Sequence, residues 1–338
     1  MNALQLPVPG RRAQPGYGSG VRVAALDQGT NTTRLLVADV SHGSVREVLR
    51  RSQITRLGEG VDRRRRLLPL PIARVRNVLT DYRRSLEQLG AERALLVATS
   101  AVRDAENGDA FLGEIEWSYG FTTRLVGGDE EAELSFRGAT LGRTLSVPTL
   151  VVDVGGGSSE LVLGDADGIR AASSLDAGSV RMSERYLHRD PPGARELDDC
   201  ATAVRSLLRE GAPADPAPAE AIGVAATITT LAALDLGLDA YDRERVDGHV
   251  LTAQAVNEQL ERLAGLPLEE RRRVPALDPE RAPVIVAGAI ILREALDHYG
   301  LGELEASERD ILDGIALEAA RLPEPVEGDA PPGVYTCC

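Results

Sequence analysis

"VDVGGGSSE", residues 152–160, places three consecutive glycines directly after an apolar run. Each glycine loses more backbone entropy on folding than any other residue, so three together mark a point where bare backbone is needed. A second stretch, "ALDQGTNTTRLLVADV" over 25–40, has the same order: apolar strand, Asp-x-Gly, small or hydroxylic residues, then a second apolar run. Asp27 aligns with Asp153, Gly29 with Gly155, and Thr32 and Thr33 with Ser158 and Ser159. The device occurs once in each half of the chain.

The flanking sequence repeats as well. In the first pass "VRVAAL", "RLLVADV" and "SVREVLRRSQITRL" read as three strands. The segment 71–90 has helical spacing (Ile72, Val75, Leu79, Tyr82, Leu86) and a stop at Gly90. "RALLVAT" reads as a buried strand, and "FTTRLV" as a strand between two helical segments. In the second pass "TLVVDV", "LVLG" and "GIRAASSLD" are strands, with helices over 178–187 and 195–210. Then come the strand "AEAIGVA", a helix opened by "TITTLAAL", helical patterns over 252–264 and 280–299, a short strand "LEAS" and a closing helix. Two passes of β-β-β-α-β-α-β-α predict an α/β protein. Its expected architecture is the duplicated actin/hexokinase/Hsp70-like (ribonuclease H-like) two-lobed fold with a phosphate cleft between the lobes. The expected division is a first lobe over 21–143, a second over 144–305, and a closing helix over 306–322 that can pack back on the first lobe. Residues 1–20 and 323–338 lack apolar periodicity and read as disordered tails.

Composition narrows the chemistry. The net charge of −14 over 338 residues opposes loose binding to nucleic acid. No apolar run approaches the roughly 18 residues of a membrane span. Cys200, Cys337 and Cys338 form neither a disulfide framework nor a metal spacing, which fits a cytoplasmic protein. All 38 basic residues are arginine. That excludes a P-loop or Schiff-base lysine and leaves side-chain anion binding to guanidinium groups, whose fork suits phosphate. The four histidines lie far apart in sequence, without metal-ligand spacing.

A Gly-, Thr- and Ser-rich hairpin turn can aim several backbone N–H groups at one oxyanion; the plain alternative is an ordinary hairpin. Two copies, each led by an aspartate, favour phosphate. An aspartate beside phosphate needs a bridging cation, so Asp27 and Asp153 imply Mg²⁺ or an acid–base role. In "ATSAVRDAENG" (98–108) Ser100 can cap a helix with Arg103 in its first turn. A cation there opposes the helix dipole unless an anion binds. Asp129 and Glu130 in "GGDEEAELSF" suit a helix start, and Thr227 can cap the helix after "GVAA". The runs Arg63–Arg66 and Arg271–Arg273 read as solvated faces.

These motifs, with "LVVDVGGGSSELVLG", "DAGSVRMSERYL" and "RAPVIVAGAIIL…SERDILDGI", occur in the order of the exopolyphosphatase/guanosine pentaphosphate phosphatase (Ppx/GppA) family, which the chain resembles from about Val21 to Leu322. The resemblance implies hydrolysis of terminal phosphate from polyphosphate, guanosine pentaphosphate or both, with Mg²⁺. Carried over by position, Glu131 is the catalytic base, and Asp153 and Glu160 are acids around metal and water. Asp27 is a further metal candidate. Gly29, Thr30, Asn31 and Thr32 correspond to one phosphate loop, Gly155, Gly156, Gly157, Ser158 and Ser159 to the other, and Arg103 to a phosphate ligand. Three departures stand out: Gly127-Gly128-Asp129 for the usual Ser-Gly-Glu, Ser159 for a common Thr, and Ala225-Ala226-Thr227 for Gly-Gly-Thr on the nucleotide side. The last weighs against a nucleotide, and the lack of the longer members' additional C-terminal region favours short polyphosphate chains. A homodimer is implied by resemblance alone. Rival readings are a guanosine pentaphosphate 5'-phosphatase, a kinase-like transferase on the same fold and a non-catalytic sensor of polyphosphate or guanosine alarmones.

Overall fold

The computed structural model describes residues 20–323; the expected tails lie outside it except for Gly20 and Pro323. Five strands form the first sheet: β1 (Val21–Gln28), β2 (Thr32–Ser41), β3 (Ser44–Ile54), β4 (Arg93–Ala98) and β5 (Thr122–Leu125), ordered β3-β2-β1-β4-β5. The first three are antiparallel; β4 runs parallel to β1, and β5 to β4. Six strands form the second: β6 (Thr149–Val154), β7 (Ser159–Asp165), β8 (Gly168–Leu175), β9 (Glu220–Val224), β10 (Val250–Thr252) and β11 (Glu303–Ala306). Their order is β10-β11-β9-β6-β7-β8. With β10 set aside, the second sheet repeats the first strand for strand. The chain therefore has two mixed α/β lobes of the duplicated actin-like order that the sequence predicts.

Every residue of β6 is buried, as expected of a strand covered on both faces. One face of the second sheet, with Leu150, Val152, Leu161 and Leu163, packs under the helices of its own lobe. The other face, with Val151, Val162 and Val224, meets Ala132 and Phe136 of the helix Gly128–Ala139. Leu134 of that same helix joins the first sheet's core, where Val23, Ala25, Leu36 and Val97 pack against Ile311, Leu312 and Ile315 of the helix Ile311–Ala319. These two helices are thus the packing bridge between the sheets.

They cross closely because glycines stand at the contact. A Cβ on Gly138 would lie 1.8 Å from the Asp310 carbonyl oxygen, and one on Gly314 2.2 Å from that of Leu134. A helical glycine costs about 1 kcal/mol relative to alanine; close backbone approach is the compensating gain. Asp310 caps the second helix, accepting from Leu312 N at 2.9 Å, while Asp313 accepts from Asp310 N at 3.3 Å. This crossing fixes Glu131, on one helix, relative to Asp310 at the start of the other.

Several local expectations are corrected. The helix expected over 280–299 begins at Ile285, because Pro283 disfavours helical backbone in the residue before it. The helix after β9 starts at Ala225 with Val224 as its cap, so Thr227 is not the cap; its hydroxyl donates to Val154 O at 3.3 Å. Arg271 is no part of a solvated face. It is buried, and it donates to the carbonyls of Leu263 (2.9 Å), Leu266 (2.8 Å) and Ala282 (3.2 Å). The strand β10 lies outside the expected set, since three residues are too few to show an alternating pattern. No helix among the described residues is long and apolar enough to cross a membrane.

Gly314→Ala should lower stability by about 1–3 kcal/mol through overpacking. Thermal unfolding checks this against Gly302→Ala, where an added Cβ meets nothing within 4 Å. Equal melting temperatures for the two variants would contradict the close crossing.

Candidate functional site

The two glycine-bearing turns, β1–β2 and β6–β7, meet across the lobes. A Cβ on Gly156 would lie 3.1 Å from Thr30 Cβ and 3.2 Å from Asn31 N. One on Gly157 would lie 2.4 Å from Ser100 Oγ and 2.5 Å from Thr30 Oγ1, and one on Gly155 3.0 Å from Ser158 O. Each glycine is bare for its own reason: Gly156 meets the backbone of the other turn, Gly157 the side chains of Ser100 and Thr30, and Gly155 the Ser158 carbonyl of its own turn. Gly178 meets the turn from behind, since its Cβ would sit 2.3 Å from the Gly156 carbonyl carbon.

The carbonyls of both turns are tied away from the cleft. Gly155 O accepts from Ser179 N at 2.9 Å, and Gly156 O from Val180 N at 2.8 Å, both at the start of the helix Ser179–Tyr186. Gly157 O accepts from Arg181 Nε at 2.7 Å. In the other turn Thr30 O accepts from Gly58 N at 2.8 Å, and Asn31 O from Thr55 N and Arg56 N at 2.9 Å each. A trans peptide plane carries its N–H opposite its C=O. Anchoring these carbonyls therefore turns the amides of Asn31, Gly156, Gly157 and Ser158 the other way, and among the described residues they donate to no protein acceptor. Thr30 Oγ1 and Asn31 Nδ2 are also buried without a partner. Unmet donors gathered at one point form an oxyanion nest.

Four buried carboxyls surround the nest: Asp27, Glu131, Asp153 and Glu160. Asp27, the last residue but one of β1, stands opposite Arg34, which donates to its Oδ2 from Nε at 2.8 Å. Asp153 holds the equivalent place in β6, but its register partner is Glu160. The first copy is therefore an ion pair and the second a pair of acids. Burial pushes the Asp153 carboxyl up to about 6, against the lowering effects of the Ser135 hydroxyl at 2.7 Å and of Arg34. Glu160 is pushed well up by burial and by the neighbouring Glu131 and Asp153, despite the Ser174 hydroxyl at 2.7 Å. Glu131 is pushed up to about 8 by burial, although Arg103 opposes the shift. Among the described residues no three Asp, Glu, His or Cys side chains form a ready metal cage.

Arg103 does not stand in the first turn of a helix capped by Ser100. The cap is Thr99, and Arg103 closes a four-residue turn. Its Nη1 donates to Glu131 Oε2 at 3.1 Å and to Val126 O at 2.9 Å, so it orients the glutamate. The Ser159 hydroxyl is occupied as well, donating to Ala177 O. The remaining loop residues, Gly29 to Thr32 and Gly155 to Ser158, line the cleft.

Two cations that the sequence reading passed over line it too. Arg34 is held charged by Asp27, Asp310 and Asp153. Arg281 is half-buried, and its guanidinium meets no hydrogen-bonding or ion-pair partner among the described residues. Burial and the nearby Arg34 hold its pKa below the usual arginine value. The signal for Arg34 was present in "TTRLL", paired with the turn's aspartate; nothing in "LDPERAPV" marks Arg281. Past these arginines the cleft opens into a second chamber lined by Arg50, Arg51, Arg243 and Tyr241. Ala225, at φ +66°, and Ala226 border both spaces.

Two facing lobes with an oxyanion nest and buried acids define a phosphate-handling protein of the duplicated α/β class. A family model described as the Ppx/GppA phosphatase family matches residues 36–321, and the chain belongs to that family. It is 42% identical to a protein named Exopolyphosphatase 2 from Mycobacterium tuberculosis, over 88% of this chain and 98% of that one. A crystal structure described as an exopolyphosphatase-like protein superposes with a TM-score of 0.84 at 34% identity, covering 89% of this chain and 99% of the other. The Aquifex aeolicus member of the family does so with a TM-score of 0.76 at 29% identity, over 90% and 99%.

Because the Glu131 carboxyl is raised, the folded chain keeps its proton to higher pH than the unfolded chain. Its contribution to stability is complete below about 4.5 and is lost as pH rises through about 8. Melting temperatures of metal-free protein across this window check the sign. The Glu131→Gln variant should gain on wild type as pH rises, and a gap that stays constant would contradict the shift.

Proposed function

We propose that the chain is an exopolyphosphatase, hydrolysing the terminal phosphoanhydride of inorganic polyphosphate. Carrying this is one observation: unmet amides from both lobes, with Thr30 Oγ1 and Asn31 Nδ2, converge beside a buried glutamate. The nest binds the end phosphates, and Arg281 and Arg34 face the following ones. Five arginines line the second chamber against Asp278, Glu308 and Asp310, and this excess of positive charge suits a repeating polyanion, while the methyls of Ala225 and Ala226 border the passage between the two spaces. Family membership and the Mycobacterium tuberculosis relative support the same activity.

In the reaction the water oxygen bonds to the terminal phosphorus as the bridging oxygen departs in line. Glu131, held through Oε2 by Arg103, takes the water proton on its carboxylate. The fixed amides stabilise charge on the transferring group without reorganising. Asp153 and Glu160 are the residues that would hold Mg²⁺: adjacent hard oxygens with raised pKa values favour a cation, whereas Asp27 is already satisfied by Arg34. Mg²⁺ is usually held by one or two carboxylates together with substrate phosphates and water, so the lack of a three-ligand cage fits it. When bound, it would offset phosphate charge.

Glu131→Gln keeps shape and removes the proton acceptor. Phosphate release from a short polyphosphate should fall ~10²–10⁴-fold, with binding retained. Near-normal turnover would contradict the assignment. Running guanosine pentaphosphate beside a short and a long polyphosphate tests substrate choice. The short polyphosphate is expected to have the highest kcat/KM, and a clear preference for the nucleotide would reverse this reading.

A further inference from the structure

The helix Ser179–Tyr186 carries a buried arginine, Arg181, whose part above is limited to anchoring the Gly157 carbonyl. Arg181 lies between the lobes with 6% of its surface exposed. Its Nε donates to Gly157 O at 2.7 Å, in the second lobe's glycine turn. Its Nη2 donates to Ser100 Oγ at 3.2 Å and Asp104 Oδ2 at 2.5 Å, both in the first lobe, and its Nη1 donates to Asp62. Asp62 is held in turn by Arg185 Nε at 2.7 Å. One planar guanidinium thus spans four acceptors on two lobes.

The acceptors matter more than their number. The Gly157 carbonyl shares its peptide plane with the Ser158 amide, so fixing that oxygen aims the N–H into the nest. Ser100 and Asp104 bracket Arg103, which orients Glu131. Arg181 therefore ties the peptide that holds phosphate to the segment that holds the base. We propose that Arg181 is a positioning residue that sets the distance between bound phosphate and Glu131, so that its loss lowers kcat by a larger factor than it weakens substrate binding. This rests on the exopolyphosphatase reading for its kinetic consequence, but the coupling itself is a property of the chain.

Lysine has one point charge and cannot span these acceptors. A displacement of about 1 Å between reacting groups can cost ~10²-fold. For Arg181→Lys, kcat on a short polyphosphate should fall roughly 10–100-fold, with KM rising by a smaller factor than kcat falls. Asp104→Asn, which keeps the Gly157 contact but weakens the tie to the first lobe, should lose less. The double variant should lose no more than about three-fold beyond Arg181→Lys, because the two changes break one linkage. A kcat unchanged by Arg181→Lys, a rise in KM alone, or losses that multiply in the double variant would overturn the proposal. If Arg181→Lys does not fold, Asp104→Asn decides by the same split between kcat and KM. Hydrogen exchange separates this failure from that of the functional reading, since it needs no substrate. Arg181→Lys, or Asp104→Asn in its place, should speed exchange both at the Gly155 amide, which is bonded to Ser158 O across the glycine turn, and at the bonded amides of Val102, Arg103 and Asp104, and a change confined to the helix 179–186 or to one lobe would refute the coupling.

Discussion

The contact between two turns, Gly156 and Gly157 against Thr30 and Asn31, is the constraint on which the rest depends. Backbones from different lobes can meet at that distance only where no side chain intervenes. Once they meet, their carbonyls must find partners behind them, and the helix Ser179–Tyr186 and the segment after β3 supply these. The amides left over face one cleft. The candidate phosphate site is thus a consequence of how the chain satisfies its own carbonyls.

The carboxyls follow from the same duplication. Each first strand carries an aspartate next to its last residue, and its hairpin partner decides the aspartate's chemistry. Opposite Asp27 stands Arg34, and the pair extends through Asp310 to Arg50 and Asp313 at the cap of the bridging helix. Opposite Asp153 stands Glu160, with Glu131 nearby, so three carboxyls gather there, with Arg103 on Glu131 and Arg34 near Asp153 as the opposing cations. Two copies of one hairpin have become a structural ion-pair chain on one side and an acidic face on the other. Such an acidic face is costly at neutral pH, and the Mg²⁺ proposed above would offset that cost.

Much of this was legible in the sequence. The repeat around Asp27 and Asp153 gave the fold, because β-strands and hairpin turns are local and their order recurs. The loop residues and the aspartates that line the cleft stand out in the sequence because glycine runs and aspartates at strand ends are conspicuous. The sequence did not reveal which partner each side chain meets. Nothing local shows that Arg103 meets Glu131, distant in sequence, or that the Ser159 hydroxyl meets Ala177 O. Arg271 hides inside an arginine run, and Arg281 inside an unremarkable loop. Long-range partners decide each of these, and local pattern carries no information about them.

The central claim is that the facing glycine turns bind the terminal phosphates. Titration calorimetry of tripolyphosphate into the Glu131→Gln protein, with and without Gly157→Ala, tests it most directly. The added methyl would crowd Thr30 and Ser100 and misalign the amides. Expected is measurable binding to Glu131→Gln alone and a loss of at least roughly ten-fold, about 1.4 kcal/mol, when Gly157→Ala is added. Equal affinity in the two proteins, both folded, would mean that phosphate is held elsewhere.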